Sequence, residues 1–200
     1  MSNRCLVLKK HKNYKTSPWK NGLGLTSEVE IFPEGSDFSK SDFLWRLSSA
    51  KIRESSSFSS FPGYDRLLVL IQGQGVLLNG NHLAPLVPFF FQGETSIKCE
   101  LVAEEVLDLG LLFKRGEVSA KMSVETSSSE LIFTKQLTFI FCIQGSFAFQ
   151  GELSAPAAVV AAMAAEQVEA MDCLKVSEPC QLQIQPSEDL IYVRIEIQKI

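Results

Sequence analysis

A chain of 200 residues, 46% hydrophobic and 21% charged, is long enough to bury a core without a metal or disulfide staple and fits one large domain or two small ones. A formal net charge of -4 and the lack of a basic run argue against a nucleic-acid partner. No apolar run approaches the roughly eighteen residues of a membrane-spanning helix, and the apolar stretch in MSNRCLVLKKHKNYK is too short for a signal-peptide core. The cysteines Cys5, Cys99, Cys142, Cys173 and Cys180 include no C-x-x-C pair, so they read as reduced thiols of a cytoplasmic protein.

The chain opens on a strand around Cys5 to Leu8. His11 to Gly24 is polar and turn-rich, with Gly22 and Gly24 spaced for a sharp turn and Trp19 as a flat anchor. Leu25 to Phe32 alternates as a strand, with Thr26, Glu28 and Glu30 on one face and Leu25, Val29 and Ile31 mainly on the other. After a loop from Pro33 to Lys40, Phe43 to Ile52 alternates again: Phe43, Trp45 and Leu47 on one face, Leu44, Arg46, Ser48, Ala50 and Ile52 on the other. Arg46 and Ser48 therefore share a face with apolar residues, which aims them into a lined cavity rather than bulk water.

Ser55 to Ser60 is a serine-rich loop and Phe61-Pro62-Gly63-Tyr64 a turn. Leu67 to Ile71 reads as a buried strand, and Asn79-Gly80 marks a hairpin because a type I′ turn needs two residues at positive φ. Further strands are expected at Leu83 to Phe91, Ser96 to Val102, Leu107 to Lys114 and Leu131 to Ile143. LLVLIQGQGVLLNG from Leu67 to Gly80 is echoed by LTFIFCIQGSFAFQG from Leu137 to Gly151, a repeat at about seventy residues that suits a duplicated small barrel. Ala157 to Val176 breaks the strand pattern, and its Ala, Glu and Gln content predicts a short helix near 158–171. The chain ends on two strands around Pro186, the last with Tyr192, Arg194 and Glu196 on one face.

Arg46 is the first candidate for chemistry, because a guanidinium at a barrel mouth grips a carboxylate through two parallel hydrogen bonds. A structural ion pair with Glu28 or Asp65 is the competing reading. Asp65 and Arg66 are adjacent, so at most one of them reaches the same pocket, and a structural or surface pair is the simpler fate. Trp19 and Trp45 are pocket walls or core residues. His11 and His82 are the only histidines and lack ligand spacing, so neither a metal nor any other cofactor is expected. There is no G-x-S-x-G elbow, and Gly73-x-Gly75 lies in a hairpin rather than before a helix, where it would cradle phosphate.

Several ordered blocks carry a resemblance: Trp19-Lys20-Asn21-Gly22-x-Gly24-x-Thr26-x-Glu28, then Asp42-Phe43-x-Trp45-Arg46-x-Ser48-x-Ala50, then Phe58-Ser59-x-Phe61-Pro62-Gly63-x-Asp65-Arg66. Pro88-Phe89-x-Phe91-x-Gly93-Glu94 and Arg115-Gly116 follow. Over residues 17 to 116 the chain resembles the HutD/Ves family. The resemblance implies an all-β bicupin of RmlC-like jelly-roll type: two cupin-like β-barrels, the first about 40–116 with strands from 1–39 completing its sheets, the second about 130–200. It also implies a bacterial cytosolic protein, linked in HutD to histidine utilisation through a small acid such as N-formylglutamate, and in Ves to stress. The family's Asp-x-Asn-x-Met run stands here as Asp108-Leu109-Gly110-Leu111-Leu112, and Leu23 interrupts its glycine run, so one pocket wall is expected to differ.

The expectation is a non-enzymatic, metal-free binder of a small carboxylate. Arg46 would hold the acid, with Ser48, Thr26, Glu28, Asn21 and Asp65 as polar neighbours and Trp19 or Trp45 as a wall. The alternative is a metal-independent cupin isomerase or hydrolase with Glu28 or Asp65 as general base; a third reading is an interaction scaffold. Exposed strand edges leave a homodimer open.

Overall fold

The computed structural model describes residues 5–19, 22–126, 131–153 and 166–200. The chain divides into two compact units, residues 14–119 with 199–200 and residues 1–13 with 120–198. The first strand, β1 (Leu6–Lys9), enters the second unit rather than the first, where the N-terminal strands were expected.

In the first unit, β2 (Lys15–Pro18), β3 (Gly24–Phe32), β4 (Trp45–Ile52), β5 (Ser56–Ser57), β6 (Tyr64–Gln72), β7 (Val76–Leu78), β8 (Asn81–Leu83), β9 (Phe89–Gln92), β10 (Lys98–Leu101) and β11 (Val106–Lys114) form two antiparallel sheets. Their orders are β2-β3-β4-β11-β6-β9 and β5-β10-β7-β8. The expected barrel is thus a jelly-roll sandwich whose hydrogen bonding does not close into a ring. The ladder breaks at corners such as Gly73 and Gly75, where φ values of 103° and 114° turn the chain out of β6 and into β7 of the other sheet. Asn79 and Gly80 form the two-residue hairpin between β7 and β8, at φ 49° and 81°.

Register decides which side chains meet. One row across the six-stranded sheet is Ile31, Arg46, Leu112, Arg66 and Phe91; the next on the same face is Glu28, Ser48, Gly110, Leu68 and Phe89; the next is Thr26, Ala50, Asp108 and Leu70. A bulge between Glu28 and Glu30 shifts parity, so Ile31 joins the row of Arg46 and Glu30 crosses to the row of Leu47, away from the expected Thr26 and Glu28. This face packs on the four-stranded sheet through Ile52, Leu68, Leu70, Val76, Leu78 and Cys99. A second cluster of Phe43, Phe61, Tyr64 and Leu112, with Ile31 and Phe38 against it, closes one end. The opposite face carries Trp45, Leu47, Leu109 and Leu111 and is also buried, which explains why these strands look apolar on both sides.

The second unit adds β12 (Val118–Thr126), β13 (Leu131–Thr134), β14 (Leu137–Gln144), β15 (Ser146–Leu153), β16 (Glu166–Glu169), β17 (Cys173–Val176), β18 (Cys180–Pro186) and β19 (Ile191–Lys199). Its sheets run β1-β17-β14-β19-β12 and β13-β18-β15-β16 around Ile140, Phe147, Val168, Leu174, Leu182 and Ile184. The sequence repeat is structural: Gln72 and Gln144 each end a strand, and Gly73 and Gly145, both at positive φ, start the step into the facing sheet. Asp172 pins the N-terminal segment, accepting from Lys10 Nζ at 2.9 Å, His11 N at 2.8 Å and Glu169 N at 3.1 Å.

The helix expected near 158–171 is corrected where it can be followed. Residues 154–165 lie outside the described residues, but Glu166–Glu169 is a strand paired with β15, and Val168 is fully buried in the core. Ladder bonds and that buried side chain outweigh the helical leaning of Glu and Gln. Among the described residues no helix is long and apolar enough to cross a membrane.

Gly93 clamps the turn before β6 to the end of β9, with Phe61 N donating to Gly93 O at 2.8 Å and Gly93 N to Tyr64 O at 2.7 Å. A Cβ there would collide with the carbonyl oxygens of Phe61 and Tyr64. Gly93→Ala should cost roughly 1–3 kcal/mol, a drop of several degrees in Tm by scanning calorimetry; an unchanged Tm would show that the clamp relaxes freely.

Candidate functional site

The three rows put a polar belt across the inner face of the six-stranded sheet. Arg46 Nε donates to Glu28 Oε2 at 2.7 Å, and the two side chains are 11% and 23% exposed. The Arg46 guanidinium carbon sits 4.0 Å from the centroid of the Phe38 ring, so one face of the cation is covered by an aromatic plane. Among the described residues its two Nη groups have no hydrogen-bond partner. Ser48, opposite Glu28, is half-buried with its hydroxyl uncommitted. Thr26 Oγ1 accepts from Trp19 Nε1 at 2.8 Å, which fixes the indole beside the belt.

Gly110 lies between Ser48 and Leu68. A Cβ on it would make only ordinary contacts, at 3.7 Å to Leu68 Cδ1 and 3.9 Å to Leu67 O. Its missing side chain therefore leaves room for about a methyl group in the middle of the belt and does not relieve a clash. A glycine inside a strand often marks such a point of close approach.

Arg66 is the most demanding residue in the belt. It is 8% exposed and ringed by Phe58, Phe91 and Phe61, whose centroids lie 5.0, 5.2 and 5.8 Å from the guanidinium carbon. Its Nε is buried without a partner, and its Nη2 has only a long 3.4 Å contact to Ser59 O. Burial depresses its pKa to about 10, Asp108 pushes it back up, and Arg46 pulls it down. It stays cationic at neutral pH.

Asp108 is 4% exposed and accepts from Ala50 N at 3.1 Å through Oδ1. Burial pushes its carboxyl up to about 7, against the opposing pull of the Ala50 N–H and of Arg66. The belt thus holds two guanidinium cations, one carboxylate tied to Arg46 and one carboxyl partly neutral, a balance that favours an anionic guest.

Of the residues singled out in the sequence, Arg46, Ser48, Thr26 and Glu28 share this face and Trp19 stands beside it. Trp45 does not: strand alternation turns it to the opposite face, where it stacks on Phe32 at 5.7 Å with planes 8° apart. Asp65 is turned away as well. It pairs with Arg115 at 2.7 Å, which also binds Glu94 at 2.8 Å, while its neighbour Arg66 points inward. Asn21 lies outside the described residues. Arg66 and Asp108 were not chosen as site residues from the sequence. The signal available was a charge inside an apolar alternating strand, YDRLLVLI for one and VLDLGLLF for the other. Among the described residues no group of three or more His, Cys, Asp or Glu side chains is placed to hold a metal ion.

A buried guanidinium with an unpaired Nε is a cost to the fold. Arg66→Met, which keeps the volume and removes the charge, should raise the ligand-free Tm by a few degrees, about 1 kcal/mol or more. A fall in Tm would assign Arg66 to holding the core together.

Comparison with known proteins places this geometry in a family. The HutD family model matches residues 11–192. An uncharacterized 21.2 kDa protein in the hutC 3′ region of Pseudomonas putida is 34% identical over 142 residues, 68% of this chain and 73% of that one. Protein Ves of Citrobacter koseri is 32% identical over 135 residues, 64% of this chain and 68% of its own. A structure of HutD from Pseudomonas fluorescens SBW25, in a formate condition, shares 25% identity and a TM-score of 0.76, covering 98% of this chain and 99% of that one. A conserved protein of unknown function from Pseudomonas aeruginosa PAO1 has a TM-score of 0.80 at 25% identity, covering 96% and 98%. Oxalate decarboxylase from Lactobacillus farciminis, only 8% identical, shares the cupin fold at a TM-score of 0.67 over 100% of this chain and 89% of its own. With a family match over nearly its whole length and an all-β, cupin-like architecture in both units, the chain belongs to the HutD family.

Proposed function

We propose that the N-terminal unit binds a small carboxylate metabolite on the inner face of its six-stranded sheet, as a binding protein rather than an enzyme. The observation that carries this reading is Arg66, a guanidinium buried among three aromatic rings with no partner for its Nε. Water cannot solvate it well and the described protein groups do not neutralise it by direct pairing, so an incoming carboxylate supplies interaction that the Nε does not otherwise make.

Arg46 and Arg66 occupy the same row with Leu112 between them, two strand spacings apart, or about 9–10 Å between backbones. Two forks at that separation suit an acid lying over Gly110, which carries no side chain, with the Ser48 hydroxyl within the belt to bond it. N-formylglutamate, an acid with a carboxylate at each end, fits this description. The formate condition of the Pseudomonas fluorescens protein and the hutC 3′ location of the Pseudomonas putida relative favour a small acid and a role in regulating histidine utilisation; the Ves relative extends the family beyond that setting.

The isomerase or hydrolase alternative relied on Glu28 or Asp65 as base. Asp65 faces Arg115 on the other side of the sheet and Glu28 is ion-paired with Arg46, which favours binding over turnover.

Titration calorimetry with formate, glutarate and N-formylglutamate tests the reading. Arg46→Ala and Arg66→Met should each weaken the acid that binds by about tenfold to a hundredfold, the range for a charge-assisted hydrogen bond of roughly 1.5–3 kcal/mol. Unchanged affinity in both variants, or no heat with any of the three acids, would rule it out.

A further inference from the structure

The belt contains a group for which simple anion capture has no use. Asp108 is an acid on the inner face of a sheet meant to receive an acid. It occupies the row beside Gly110 and Ser48, and its Oδ1 is fixed by Ala50 N at 3.1 Å. Among the described residues no cation lies within ion-pair distance of it. A second negative charge brought to this face would have to sit near a carboxylate that is already buried and unpaired. Two such charges in one low-dielectric site cannot both persist without a large penalty, and a proton is the smallest change that removes it.

The surrounding groups leave Asp108 as the one that yields. From β6 it faces Arg66, and from the opposite sheet Cys99 of β10. Arg66 is depressed only to about 10 and Cys99 is raised to about 11, so neither changes charge between pH 5 and 9. From β3 and β4 the charged groups on the same face are Glu28 and Arg46, which hold each other. Lys51 of β4 points to the other face and pairs with Glu105 at 2.6 Å. Asp108, already pushed up to about 7 by burial, is therefore the carboxyl on which a bound anion acts.

We propose that carboxylate binding at this site is coupled to uptake of one proton from solvent by Asp108, so that the protein takes up an acid anion together with H⁺ and releases both as the medium becomes alkaline. The proton comes from water or buffer and goes to the free carboxyl oxygen, which then becomes a donor that can hydrogen-bond the guest. No other bond is made or broken. This rests on the carboxylate reading above and adds to it a pH-dependent release that two arginines alone would not produce.

Glutarate and formate, both ionised above about pH 6, serve as probes. Affinity should fall towards tenfold per pH unit above about pH 7, and calorimetry in buffers of different ionisation enthalpy should show protons taken up on binding, approaching one per glutarate or formate bound. In Asp108→Asn, where the amide oxygen can still accept from Ala50, the affinity should no longer vary with pH. Binding by the wild-type protein that is flat from pH 6 to 9, or a slope that survives Asp108→Asn, overturns the coupling while leaving carboxylate binding intact. Failure of both probes and of N-formylglutamate to bind at any pH overturns both.

A measurement without ligand gives a second check. The Asp108 pKa is higher folded than the roughly 3.9 of an unfolded chain, so the folded state binds the extra proton between those values. Stability from this group is therefore lost as pH rises from about 4 to about 7 and is level above that. The Tm of Asp108→Asn minus that of the wild type should grow over this window and then hold; a difference constant with pH contradicts the inference.

Discussion

An unpaired guanidinium inside a β-sandwich is the constraint around which the first unit is arranged. Asp65 on the same strand turns to the other face and is neutralised there by Arg115, but strand parity holds Arg66 inward between Tyr64 and Leu68. The protein offsets the cost with aromatic planes. Phe58, Phe61 and Phe91 surround the cation, and Phe38 covers Arg46 in the same way. Such contacts are worth about 0.5–2 kcal/mol each, less than a direct ion pair would supply in the same place, and they leave the hydrogen-bonding edge of the fork unspent.

The rest of the sheet keeps that edge open. A bulge after Glu28 sends Glu30 to the opposite face, so the belt carries one paired carboxylate beside Arg46 instead of two. Gly110 removes a side chain where the strands cross the belt, while Leu112 in the next row is buried with Phe43, Phe61 and Tyr64 and seals the end. Tyr64 itself is held by its hydroxyl, 2.7 Å from Phe43 O and 2.8 Å from Ser41 O, which ties the aromatic plug to the chain entering β4. The second unit repeats the sandwich and the Gln-Gly corner, yet places Thr138 where the first has Arg66 when the two Ile-Gln-Gly runs are aligned. The duplicated fold thus carries different chemistry in its two copies.

Much of this was legible in the sequence because alternation with period two is a direct record of strand faces. The Leu-Trp-Arg-Leu-Ser run placed Arg46 and Ser48 together, and the two Ile-Gln-Gly corners exposed the duplication. What failed did so for local reasons. A single bulged residue reverses parity without leaving a mark in composition, and so Glu30 was misplaced. Trp45 was assigned as a wall against its own alternation, since an indole is large enough to suggest a pocket wherever it stands. Arg66 was passed over because its neighbour Asp65 competed for the same pocket, and only the three-dimensional pairing of Asp65 with Arg115 resolves which one turns in. Asp108 matches the Asp of the family's Asp-x-Asn-x-Met run, whose departures are Gly110 and Leu112, and its meaning comes from burial, which no linear pattern reports.

If the unspent edge of Arg66 is where an acid docks, that edge must carry the guest. A crystal structure of the protein grown with glutarate tests it most directly. Density is expected over Gly110, with a carboxylate oxygen within about 3 Å of Arg66 Nε. Glutarate bound elsewhere, with that Nε still alone among its phenyl rings, would contradict it.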